Sequence, residues 1–562
     1  MTRENAKLYD ALLRYFHFLR YTPPRQIARR LYLRLKRHVL DRLPFGGSPP
    51  LYDGPGLARL PCLPLEGPHG TLIQKNGVWE ATFLNKTRTL GGKVDWYTEA
   101  LDKRSQLWCM NLHYFEYLPE MDVPQCIYLI ADWVKNYRPQ DVRTARCGWT
   151  PYAVSLRLSA WLASWSARGP YGDKEFQKLF AQSVYEQANY LAANLETDIR
   201  GNHLIKNIRA LTEAAFALNC AAATNWKKLA GYWLAAELDT QILSDGVHFE
   251  KSPSYHAQVF ADLMAIYTVR EKDDLSVSLA KKLDHMAVAL YYITHPDGKI
   301  AQFGDAGLDM AVSTEKCLQA YTQLRQKPVL IADGCFSMAD AGFYGMHHGD
   351  TYIIFKMGSL GPDALMAHAH EDWGSFEWSV AEQRIFVDQG VYEYVEGNKR
   401  KQSQSQSSHN TVALEGTTQA DFFSSFRCGK RPHPVAATFK ELENGFLLDG
   451  TMIPAVGKAV APVHRRVHYT PEELCITDET NGDGLLTSRL LLHPSVRPCL
   501  ADENGKVRFT TETGITIECF TNDGTTLGIQ EAEWWPNMGY ALQTHRIVAE
   551  GKEIIMTLRV IS

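Results

Sequence analysis

The sequence predicts an α+β protein of more than one domain, with a helical domain first and an antiparallel β-sandwich after it. Three observations carry this prediction. From about residue 120 to 325, apolar residues recur at helix spacing in several successive segments. After about residue 330 the pattern changes to short β-branched runs separated by turn signals such as Asn481-Gly482-Asp483-Gly484. Helices that precede strands, and do not alternate with them, argue against a parallel α/β sheet. At 562 residues the chain is too long for one small core. The composition shifts divide it into an entry segment (1–95), a helical domain (96–328) and a β domain (329–562).

The entry segment opens on Arg- and Lys-rich sequence whose apolar positions, Leu12-Leu13, Tyr15-Phe16 and Leu19, then Ile27, Leu31-Tyr32 and Leu35, predict two amphipathic helices broken at Pro23-Pro24. Docking of these helices on the rest of the protein is the favoured reading; a peripheral membrane contact is the other. Residues 40–70 are rich in Pro and Gly and read as irregular coil. Val78–Asn85 reads as a strand, followed by an aromatic run, Leu107-Trp108-Cys109-Met110-Asn111-Leu112-His113-Tyr114-Phe115. That run is read as core, with sugar stacking as the alternative.

In the helical domain, Thr150-Pro151 reads as N-cap and first helical residue. Val154, Leu158, Trp161, Leu162 and Trp165 follow at helix spacing, as do Ile208, Leu211, Ala215 and Leu218, and then Val259, Leu263 and Ile266. Periodicity alone leaves a bundle, a solenoid or a closed toroid open. Strands are predicted at 352–356, 374–380, up to Val387, from Val412, and at 506–509, 515–517 and 553–558.

Composition narrows the function classes. A net charge of −4 supplies no global attraction to polyanions, so an anionic substrate needs a local cluster of Arg, Lys and His. No nucleic-acid, Walker or Rossmann motif appears. No run reaches the roughly 18 apolar residues of a membrane span, and no signal peptide is visible. Eleven scattered cysteines without CxxC pairs read as reduced thiols, so a cytoplasmic location is expected. Oligomeric state stays open.

Chemistry-bearing residues gather at His368-Ala369-His370, Asp388 and His409-Asn410-Thr411-Val412. Each sits near the end of a predicted strand, where a sheet can hold it. Two imidazoles and a carboxylate suit zinc, although nineteen histidines along the chain make chance proximity a real alternative. On an extended segment His368 and His370 would share a face. Two further stretches lie in the helical domain. In Gly201-Asn202-His203, Asn202 reads first as an N-cap, with Lys206 and Arg209 as positive charges nearby. In Glu250-Lys251-Ser252-Pro253-Ser254-Tyr255-His256, Tyr255 reads first as a packed aromatic on a loop between helices.

Taken together, the H-x-H, D and H-N-T runs resemble the heparinase II/III-like polysaccharide lyases, a family with heparinase III and related alginate lyases among its members. The G-N-H run, the E-x-S-x-x-Y-H run, the aromatic run and Phe303-Gly304-Asp305 are similar to that family as well. The resemblance implies an incomplete α/α toroid followed by the β-sandwich. It implies His370, Asp388 and His409 as ligands of a zinc ion, read here as structural and near the active site. It also implies His368 and Tyr255 as acid–base residues and Asn202, with His203, as contacts to a substrate carboxylate. Lys206 and Arg209 are taken as substrate-binding, and the Phe303-Gly304-Asp305 turn as structural. The expected reaction is β-elimination at C4–C5 of an acidic, uronate-containing polysaccharide or oligosaccharide. A uronate C5 epimerase, a zinc-dependent hydrolase and a non-catalytic sugar-binding protein are the alternatives.

Overall fold

A computed structural model describes residues 3–38, 51–65, 67, 70–98, 102–137, 146–434, 437–458, 460–499 and 506–561. The coil expected over 40–70 therefore falls partly outside the described residues. The chain begins with two helices, α1 (Arg3–Arg20) and α2 (Pro24–His38), then a three-stranded meander, β1 (Thr71–Lys75), β2 (Val78–Phe83) and β3 (Lys86–Gly91).

Nine helices follow among the described residues: α3 (Gln106–Leu112), α4 (Val123–Asn136), α5 (Pro151–Arg168), α6 (Lys174–Ala193), α7 (Gly201–Ala217), α8 (Ala221–Gln241), α9 (Pro253–Val269), α10 (Asp274–Tyr292) and α11 (Thr314–Arg325). They form an incomplete α/α toroid in which α7 packs against α5, α8 and α9. Thr150 caps α5 by accepting from the Ala153 amide, and the stripe Val154, Leu158, Trp161, Leu162 and Trp165 is buried. Charge inside this core is held by shape and hydrogen bonds. Arg157 lies 4.1 Å over the Trp133 ring and donates to Gln187 Oε1 and to the His113 and Gly148 carbonyls. The aromatic run divides between roles: His113 and Phe115 are core, whereas Trp108 and Tyr114 also line a cleft.

Helix α11 ends at Arg325 and strands begin at Gly334. A five-stranded antiparallel meander comes first: β4 (Gly334–Met338), β5 (Phe343–His348), β6 (Thr351–Lys356), β7 (Ser375–Val380) and β8 (Gln383–Phe386). Next come a short helix, α12 (Asn398–Gln404), and β9 (Val412–Leu414). Strand β9 edges a four-stranded sheet completed by Leu486–Leu491, Tyr540–Gly551 and Thr526–Asn537. A nine-stranded antiparallel sheet has Gly445–Ile453, Val463–Thr470, Glu473–Thr480 and Ile554–Val560 among its strands. Phe355, Phe376, Trp378, Phe386, Phe446, Leu474 and Ile547 meet in the sandwich core. Alternation in Val463–Thr470 and Glu473–Thr480 follows the period of two that packs one face inward.

Candidate active site

Residues of α1–α2, the toroid and the sandwich loops together line a cleft of ≈ 1260 Å³. Its toroid wall is built at the start of α7. Arg200 and Gly201 both have positive φ, which turns the chain so that the helix opens onto Glu250. The Asn202 amide donates to Glu250 Oε1 at 2.8 Å, and a Cβ on Gly201 would lie 2.4 Å from that same oxygen. A carboxylate from a distant loop thus does the capping, in place of a local side chain. This corrects the reading of Asn202 as N-cap: Arg200 holds that position without a side-chain bond. The Asn202 side chain is instead in the site, with Nδ2 3.3 and 3.4 Å from the Glu250 oxygens and 3.4 Å from His368 Nε2. Its Oδ1 is buried and unpartnered.

Tyr255 lies in the first turn of α9, not on the preceding loop, because the helix starts at Pro253. Ser252 Oγ bonds the Asp305 carbonyl and Ser254 Oγ bonds the Gly307 carbonyl, which pins this turn to the segment carrying Asp305. The Tyr255 ring stacks on His368 with centroids 3.8 Å apart, and its hydroxyl meets the Tyr394 hydroxyl at 2.9 Å. Burial, reinforced by Tyr394 and Asp305, raises the Tyr255 phenol well above its ordinary value, so it rests protonated.

His368 and His370 sit in a turn and coil ahead of β7 and not in a strand, yet they do converge. What aligns them is Asp305. His368 Nδ1 lies 2.9 Å from Oδ2 and His370 Nε2 lies 2.8 Å from Oδ1. Arg400, on α12, donates to both oxygens as well. Burial alone would raise this carboxyl. The Arg400 guanidinium and the two imidazole bonds outweigh it and hold Asp305 well below the ordinary carboxylate range. An ionised Asp305 takes Nδ1–H of His368 and leaves Nε2 as the nitrogen presented to the cleft. Gly304, at φ +60°, keeps the approach open, since a Cβ there would meet the His368 carbonyl at 2.6 Å. The Phe303-Gly304-Asp305 turn is therefore part of the site and not merely structural.

The remaining predicted residues divide. His203 lines the cleft, packs at a tilt against the Tyr152 ring and lies 3.1 Å from Glu196. Burial disfavours its charged form, but Glu196 outweighs that and raises it above the ordinary imidazole value. Lys206 and Arg209 do not line the cleft: both are turned to Asp262 on α9, at 2.9 and 3.0 Å, and Arg209 also pairs Glu213. They share the Asn202 face but lie one and two turns further along α7, at i+4 and i+7, where they enter a buried ion cluster with Asp262. Cleft positive charge comes from other places, among them Arg30, Lys86, Lys103, Arg104, Arg427 and Arg431, against the acids Asp198, Glu250, Glu393 and Glu396. This is the local cationic cluster that an acidic chain requires. Tyr394 and Arg400 carry no signal in local sequence, and Glu250 stands in the E-x-S-x-x-Y-H run with no role assigned, because each acts on a residue far away in the chain.

His370, Asp388 and His409 are neighbours. His409 Nδ1 lies 2.7 Å from Asp388 Oδ2, and the His370 and His409 rings are 5.3 Å apart. Asn410 sets this up: it donates to the Phe376 and Val387 carbonyls and accepts from the Leu491 amide, tying the ends of β7, β8 and the next sheet together. His370 Nδ1 and His409 Nε2 are buried without a hydrogen-bond partner, as two metal-donor nitrogens would be. In this arrangement, however, no group of three or more His, Cys, Asp or Glu among the described residues is placed to hold a metal ion. The residue types fit zinc and two donor nitrogens are unpartnered, while Asp388 bonds the other nitrogen of His409.

Comparison with known proteins adds a second line of evidence. The chain matches the heparinase II/III N-terminus family model over residues 101–327 and the heparinase II/III-like C-terminal model over residues 332–560. A heparin-sulfate lyase of Pedobacter heparinus is 24% identical over 319 residues, which are 52% of this chain and 47% of that protein. One from Bacteroides stercoris is 24% identical over 307 residues, 50% of this chain and 45% of its own length. The chain thus spans about half the length of these curated relatives. A heparinase III crystal structure superposes with a TM-score of 0.68 at 17% identity, covering 84% of this chain and 80% of that one. A heparan sulfate lyase mutant from Pedobacter heparinus gives 0.60 at 18% identity, with 85% and 80% covered. These likenesses concern the fold.

Proposed function

This chain belongs to the heparinase II/III-like family, and from that premise we propose that it is a polysaccharide lyase cleaving an acidic, uronate-containing polysaccharide by β-elimination. The observation that carries the reading is the convergence of Asn202, Tyr255 and His368 in one cleft, with Asp305 orienting His368. In a uronate the C5 proton lies beside a carboxylate and the leaving oxygen is on C4. Asn202 Nδ2 donates to the carboxylate and stabilises the enediolate-like charge that develops on it as C5 loses its proton. His368 takes that proton at Nε2, which faces the cleft beside Asn202 Nδ2 and Glu250. Tyr255, resting protonated, gives its proton to O4 as the C4–O bond breaks and the C4–C5 double bond forms. Each such transfer contributes typically about 10²–10⁴-fold. Arg and Lys at the cleft mouth hold the neighbouring acidic residues of the chain.

Zinc belongs to the same proposal. His370 and His409, with Asp388, would hold it, and the two orphaned buried nitrogens support this assignment. When bound, the ion would brace the segment carrying His368 and take no part in the proton transfers. A reducing, cytoplasmic setting is likewise proposed, on eleven cysteines scattered without paired spacing.

A panel of uronate polymers tests the reading: wild-type protein should generate ultraviolet absorbance from an unsaturated uronate on at least one. On that polymer Tyr255→Phe and His368→Ala should each be nearly inactive while remaining folded. Wild-type turnover in both variants would remove the assigned roles.

A further inference from the structure

Helices α1 and α2 have a face that the rest of the fold leaves open. Their inner sides bridge the two domains. Arg14 pairs Asp421 at 3.0 Å and Phe18 packs edge-on to Phe423, while Arg30 reaches the Asp198 carbonyl and Leu33 is buried. Opposite these contacts, Leu12, Phe16 and Leu19 recur at helix spacing along α1 and are 61, 61 and 47% exposed. On α2, Leu31 and Leu35 are 61 and 57% exposed, with Tyr32 between them. Eight of the twenty-one exposed large apolar residues found among the described residues fall between Tyr9 and Leu35. Such a concentration marks an interaction surface and not the ordinary scatter of exposed apolar side chains.

Charge identifies what covers it. Residues 1–38 contain ten Arg and Lys and two Asp and Glu, a formal charge of +8. Since the whole chain carries −4, the other 524 residues carry −12. The partner must therefore be anionic as well as receptive to Leu, Phe and Tyr. Arg14 and Arg30 turn their charge inward onto Asp421 and Asp198, but the segment stays net positive. A second copy docking through the same face would therefore set two net-positive surfaces together, which is unfavourable. We propose that α1 and α2 dock this protein on an anionic phospholipid surface. Their exposed apolar stripes enter the headgroup–acyl boundary, and flanking Arg side chains such as Arg20 and Arg25 meet lipid phosphates. The opposite side of the same helices lines the cleft through Phe18, Arg30 and Leu33, so docking holds the cleft beside the membrane. This inference concerns where the protein works and stands apart from the reaction assigned to the cleft.

Flotation of the full chain with phosphatidylcholine vesicles, with and without phosphatidylglycerol, tests it. Protein should float with the vesicles containing phosphatidylglycerol and stay behind with phosphatidylcholine alone. The triple variant Leu12→Ser, Phe16→Ser, Leu31→Ser changes only exposed side chains; it should lose binding with its melting temperature unchanged. Arg20→Glu with Arg25→Glu should weaken binding roughly tenfold or more, and added salt should do the same. Absence of wild-type protein from both floated fractions would overturn the proposal, as would equal binding to both vesicle types. A solution dimer abolished by the triple variant would assign the face to a second copy instead.

Discussion

Asp305→Asn is the substitution that the structure makes most informative. The side chain keeps its shape but loses its charge and half of its accepting capacity. At present it is fully buried and accepts from His368, His370 and both Arg400 nitrogens. Removing the charge leaves the buried Arg400 guanidinium uncompensated, a loss of about 3–5 kcal/mol. The new amide also presents N–H groups to an imidazole that now donates. With the amide nitrogen on the His368 side, His368 has to accept at Nδ1 and carry its proton on Nε2, which removes the base from the cleft. Chemistry should therefore fall by about 10²–10⁴-fold even where the variant is folded. Acid sensitivity supplies an independent readout. Asp305 is depressed in the folded state, so its stabilisation is complete above the unfolded carboxylate value of about 4. It is lost as pH falls toward its own lower value, and the variant should lack that part of the acid transition. The assay is thermal melting from neutral to acid pH, with turnover measured at a temperature where both proteins are folded. Unchanged melting together with unchanged turnover would refute the role given to Asp305.

Tyr255→Phe keeps the ring stacked on His368 and removes only the bond to Tyr394, so stability should drop by no more than about 1 kcal/mol while activity falls roughly 10² or more; calorimetry and initial rates check the split. Asn202→Ala removes long, weak side-chain contacts but no helix cap. It should leave stability nearly intact and lower turnover by about 10²–10³, and a large loss of melting temperature would return Asn202 to a scaffold role. Elemental analysis after desalting should find about one zinc per chain, and His409→Ala should lose it together with thermal stability. Metal retained in full by that variant would remove His409 from the ligand set.

Much of the fold is legible because it rests on local pattern. The stripe from Val154 to Trp165 is buried as its spacing predicts, and Thr150 caps its helix. The strands at β6, β7 and 554–560 lie where β-branched and aromatic alternation places them. The site is legible only in part. Asn202, Tyr255 and His368 carry motif context and do meet. Asp305 looks like an ordinary turn residue because its partners are 63, 65 and 95 positions away, and no local spacing encodes such contacts. The same reason hides the role of Glu250, a motif residue that caps a helix 48 residues earlier. Lys206 and Arg209 mislead in the opposite direction. Proximity in sequence to Asn202 suggests the substrate, but they lie one and two turns down the same helix face, where Asp262 pairs them.

The central claim is that this cleft breaks the C4–O bond by elimination. The most direct measurement follows ultraviolet absorbance, new reducing ends and solvent deuterium at C5 together on one cleaved uronate polymer. Elimination predicts one conjugated C4–C5 double bond for every new reducing end, both abolished in His368→Ala. Reducing ends that accumulate without the chromophore, or deuterium entering C5 of an uncut chain, would contradict it.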